Sequence, residues 1–64
     1  MDYKFQINQR VKTPLGEGLI DALPYNEESD VYGVWLDRPQ MIKTSSRVVP
    51  NRWVPVSGKY IAVV

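Results

Sequence analysis

The chain contains neither cysteine nor histidine. Without cysteine, disulfides, thiolate zinc sites and a cysteine nucleophile are excluded. Without histidine, the usual general base and the commonest metal ligand are missing as well. The longest apolar runs are a few residues, far short of the roughly 20 that span a bilayer as a helix. The opening MDYKFQINQR holds no apolar stretch of the kind a signal peptide carries. The expectation is one cytoplasmic domain over residues 1–64, with no membrane partner and no cofactor.

Acidic residues are missing from the second half. Residues 1–37 carry three cations against seven acids, a net −4, whereas residues 38–64 carry five cations and no acid, a net +5. Such a split predicts a dipolar surface with a basic side suited to polyanions. A fold that mixes the two halves in space would cancel it. Hydrophobic content is 44%, enough for a core and too high for a disordered tail. A chain this short buries only about 60% of its unfolded surface, so each large side chain counts. Two Trp, four Tyr and one Phe supply that area.

Five prolines and four glycines punctuate short β-rich runs, and no helical period lasts three turns. This predicts an all-β barrel or sandwich. QRVKT (9–13) alternates, with Val11 and Thr13 on one face. PLGEG (14–18) is a turn in which Gly16 and Gly18 can take positive φ. LIDAL (19–23) is a strand with Ile20 and Ala22 inward and Asp21 outward, and PYNEESD (24–30) is an acidic loop. VYGVWLD (31–37) is the central strand, and RPQM turns the chain. IKTSSRVV (42–49) reads as a strand with a polar, bulged middle. PNRWVP lies between Pro50 and Pro55 and reads as a tight or 3₁₀ turn near residues 50–53. KYIAVV (59–64) is the last strand.

QRVKTPLGEGLIDAL followed by YGVWLDRP resembles the front half of a small SH3-like barrel, over residues 9–39. The glycine-centred turn is similar to that of KOW-type and Tudor-like modules. YGVWLDRP resembles the Gly-Val-x-Leu-Asp-x-Pro strand and turn of CAP-Gly domains. The Gly-Lys-Asn-Asp-Gly signature of that family is absent, because QMIKTSS follows instead. The resemblance implies a single five-stranded SH3-like barrel and a binding role, without naming a ligand.

In that reading Tyr32, Val34 and Leu36 face inward, while Gly33, Trp35 and Asp37 face outward. Trp35 then anchors a partner, or it is covered by residues 50–58 as a second small core. Trp53 sits on a turn, where it either plugs the open end of the barrel or meets a ligand. Convergence of Tyr25, Tyr32, Trp35 and Trp53 into an aromatic cage is fixed by nothing in the sequence. The function expected is a non-enzymatic binding module for nucleic acid or a nucleoprotein surface. Lys43, Arg47, Arg52 and Lys59 would contact phosphates, with Trp53 or Trp35 stacking on a base. The alternative is a protein-interaction or self-associating module built on Trp35, Tyr32 and Tyr25. Asp21, Asp37 and Glu17 are the acids near structured turns, and they show no metal-ligand spacing.

Overall fold

Alternating burial along residues 31–36 sets the centre of the fold. Tyr32, Val34 and Leu36 are buried, whereas Val31 and Trp35 are exposed. The computed structural model describes residues 3–26 and 28–64. Five strands follow one another: β1 (Arg10–Thr13), β2 (Gly16–Ala22), β3 (Val31–Lys43), β4 (Val48–Ser57) and β5 (Ala62–Val63). All pairings are antiparallel, in the order β4-β3-β2-β1-β5. The protein is all-β, as expected. Among the described residues no ladder joins β4 to β5, so the sheet is not closed.

One face of the sheet holds the core. Val11, Ile20, Val34 and Leu36 are almost fully buried there, joined by Tyr32, Val54 and Val56. Phe5 and Ile61 fold over from the two ends of the chain. Phe5 meets Tyr32 edge-to-face, with ring centroids 5.3 Å apart. The Tyr32 hydroxyl accepts a hydrogen bond from the Lys4 backbone N–H at 2.9 Å, which satisfies its buried polar end. A β-bulge at Asp21 shifts the register so that Ala22 pairs with Gly33, on the outer face, and does not join Ile20 in the core as expected.

The glycines of the first hairpin serve different purposes. Gly16 has φ +128°, a conformation that side chains disfavour, and the Thr13 hydroxyl donates to its carbonyl at 2.8 Å. Gly18 does not take positive φ. A Cβ there would lie 2.2 Å from the Trp35 carbonyl oxygen, so it is close approach of β3 that requires glycine.

The chain does not turn at Arg38–Met41. β3 runs on to Lys43, and the break is one of register. Trp35 pairs with Trp53 and Gln40 pairs with Asn51, so Leu36 to Pro39 all stand opposite Arg52. The last pairing of β3 with β2 is Leu36 with Gly18. Pro39 therefore falls where no ladder demands its missing N–H. Past this point Gln40–Lys43 pair only with Val48–Asn51, which makes a two-stranded arm leaving the sheet. Residues 44–47 are a hairpin turn, not the bulged middle of a strand. The Thr44 hydroxyl donates to the Arg47 carbonyl at 2.8 Å and accepts from its N–H at 3.1 Å.

PNRWVP is likewise not a turn. Pro50 and Pro55 both lie within β4, an edge strand, where an absent donor is tolerated. The 3₁₀ turn is found later, at Gly58–Tyr60. The last strand is correspondingly short, Ala62–Val63. The arm lengthens the molecule to 41 × 24 × 16 Å, with a radius of gyration of 12.3 Å. A compact chain of this size has a radius of gyration of about 11 Å.

Candidate functional site

Trp35 and Trp53 are register partners on β3 and β4. Their neighbours Val34 and Val54 form the adjacent buried pair, so both indoles stand on the outer face of the sheet. Trp35 is 45% exposed and Trp53 41%. Trp53 therefore does not plug the end of a barrel. With β4 extended through both prolines, the two-residue period carries it to the face opposite the core. Its ring lies across Gly33, where a Cβ would come within 2.5 Å of Cζ2. Leu19 of β2 flanks Trp35 on its other side.

Arg52 links this pair to the base of the arm. Its Nε donates to the Leu36 carbonyl and its Nη2 to the Asp37 carbonyl, each at 3.0 Å. These two carbonyls lie in the segment of β3 that has slipped out of register. The guanidinium also sits 5.3 Å from the centroid of the Trp35 ring, a cation–π contact. Arg10 closes the other flank. It holds Asp37 through both carboxylate oxygens and lies 3.9 Å from Glu17. The hydrogen bond from Arg10 keeps the Asp37 carboxyl below its ordinary pKa, against a smaller opposing effect of desolvation. The same pairing raises Arg10.

Two grooves lie near this pair, one of them bordered by Trp53. One, of about 350 Å³, is walled by Leu23, Tyr25, Ser29, Val31, Gly33 and Trp53. The other, of about 460 Å³, lies between the β1–β2 turn and the slipped segment, beside Asp37, Arg38 and Pro39. Gln40 Nε2 spans it, donating to the Leu15 carbonyl at 2.9 Å. Among the described residues no three acidic groups converge to hold a metal ion. Nor is any helix long and apolar enough to cross a membrane.

The expected phosphate-binding residues divide between two places. Lys43 and Arg47 are exposed at the far end of the arm, and Arg52 is at its base beside Trp53. Lys59 is on the 3₁₀ turn at the opposite end of the β3–β4 hairpin, over the Tyr60 ring. The expected protein-interface residues also divide. Tyr32 is in the core, on the face opposite Trp35. Tyr25 is almost wholly exposed on the loop and borders the groove beside Trp53, so the four aromatics do not converge. Reading TSSR as part of a strand concealed the arm, with its exposed Met41, Ile42 and Val48. Polar residues between two β-branched runs were the available signal for a hairpin.

No family model matches the chain, and no curated protein or solved structure is significantly similar to it. The fold and the site define it as a small all-β protein, an open sheet with a projecting basic arm.

Proposed function

We propose that this protein is a non-enzymatic nucleic-acid-binding module whose contact surface is the arm and the tryptophans at its base. One observation carries the reading. Arg38, Lys43, Arg47 and Arg52 all fall on residues 38–52, and no acid interrupts them. Cations on a projecting ribbon meet phosphates at low steric cost, while exposed indoles offer stacking surfaces. Arg52 already gives two donors to backbone carbonyls, so it contributes a positioned charge more than a free fork. Lys59, at the other end of the hairpin, is left out of this surface.

The test is anisotropy of a labelled oligonucleotide across a salt series. Affinity falls steeply as salt rises, and Lys43→Glu combined with Arg47→Glu lowers both the affinity and the salt slope. Unchanged affinity in that double variant would refute the reading.

A further inference from the structure

We propose that the outer face of the β3–β4 hairpin is a self-association surface. On it the arm of a second copy seats in the groove lined by Leu23, Tyr25, Ser29, Val31 and Trp53. The proposal does not rest on the nucleic-acid reading, and because it covers the same arm and tryptophans, a second copy and nucleic acid compete for this surface.

Surface area is the first argument. The chain exposes 4813 Å². A folded monomer of this mass exposes about 4200 Å². The excess, roughly 600 Å², approaches the roughly 800 Å² that each partner contributes to a standard interface. Much of the uncovered apolar area belongs to one hairpin. Val31, Trp35, Met41, Ile42, Val48 and Trp53 lie on β3 and β4 and are each at least 41% exposed. Val31, Trp35 and Trp53 share the outer face. The arm, open on both sides, adds Ile42 on one side and Met41 and Val48 on the other. Exposed apolar side chains gathered on one hairpin mark a contact site.

The second argument is placement. The groove is at the Val31–Ser57 end of the hairpin and the arm tip is at the Lys43–Val48 end. A two-fold axis through the middle of the hairpin exchanges the two ends. Each tip then meets the groove of the other copy, and Trp35 and Trp53 lie between them. Such an isologous contact fills both grooves and closes at two copies. Pro50 and Pro55 oppose a continuous ladder between two β4 edges, so the contact is made by side chains.

Charge selects the occupant. Among the described residues Arg10 is the one cation held in an ion pair, so Lys43 and Arg47 at the tip have no ionic partner. The loop beside the groove carries Glu28 and Asp30, and Asp30 is already hydrogen-bonded by the Ser57 hydroxyl at 2.6 Å. Glu28 is exposed and, among the described residues, in no ion pair. Glu28 is next in sequence to Ser29, which lines the groove, and its charge attracts a basic tip and disfavours a phosphate. Both halves of the match are on the same chain, and Arg47 of one copy is thereby assigned to Glu28 of the other.

Sedimentation equilibrium of the protein alone, over about 1 to 100 µM, tests the proposal. The wild type sediments as a dimer. Arg47→Glu and Glu28→Arg each weaken the dimer by about tenfold or more, since each sets like charges against each other. An equimolar mixture of the two variants regains the dimer, because the reversed charges then face opposite ones. Both positions are exposed, and circular dichroism melts confirm that each variant is folded. Three results would overturn the proposal: a monomer throughout, a dimer indifferent to both substitutions, or a mixture that stays monomeric. Because no nucleic acid is present, failure here leaves the salt titration to judge the nucleic-acid reading separately.

Discussion

Trp53 rests on Gly33, two residues along β3 from its register partner Trp35. The absent side chain at position 33 makes room for the indole, with Cζ2 only 2.5 Å from where a Cβ would stand. The indole in turn covers backbone that a bare glycine would leave open to water.

Gly33→Ala therefore displaces the Trp53 ring or forces the strands apart. The expected loss is about 1–3 kcal/mol, in the range for overpacked sites. Urea unfolding measures it, and a shift in tryptophan emission reports the moved ring. A variant of wild-type stability with unaltered emission would show that the ring relocates freely.

Arg52→Ala removes the donors to the Leu36 and Asp37 carbonyls. The bond to Leu36 is part-buried and that to Asp37 exposed, and the loss expected is about 1–2 kcal/mol. The more particular effect is on the arm. Amide exchange at Gln40–Lys43 rises in this variant, while that of Ile20 and Val34 in the core rises less. Arg52→Lys does not rescue it, because one ammonium does not reproduce a planar fork across two carbonyls.

Asp37 gives the fold a pH dependence of known sign. Its folded pKa is depressed below the ordinary 3.8 through the hydrogen bond from Arg10. The stabilisation is thus fully present above the unfolded pKa and is lost as pH falls through the folded one. Melting temperature drops on acidification below about pH 4. In Asp37→Asn the Arg10-dependent part of that drop disappears. Salt weakens the effect in the wild type, since both partners are exposed. An acid limb identical in wild type and variant would exclude this pair as its source.

The strands within residues 9–22 and 31–37 were legible because strand period and burial agree there, except at Ala22, which the bulge carries off the core face. Val11, Ile20, Val34 and Leu36 face the core as alternation requires, and Trp35 faces out. Alternation also separates Tyr32 from Trp35, so their joint use as an interface was already in conflict with the pattern. Beyond Asp37 the local signals mislead. Pro39 reads as a stop, but it stands in a slipped segment where Arg52, more than a dozen residues later in the chain, meets the Leu36 and Asp37 carbonyls. Pro50 and Pro55 read as the bounds of a turn, but an edge strand accepts them. Which strand becomes an edge is decided by the whole sheet, so no local window contains it. The basic composition of the arm was visible, whereas the separation of Lys59 from it depends on where the hairpin ends.

The shortest strand makes the most distant pairing. β1 to β4 form a meander in which each strand pairs with its neighbour in sequence, so those contacts form through short loops. β5 alone reaches back across the chain, joining Val63 to Val11 and Ala62 to Lys12. Closing so long a loop is entropically expensive, and two residue pairs return little until the rest is in place. Pairing of β5 is accordingly expected to form last and to open first. The two ends of the chain are held together by its least secure seam.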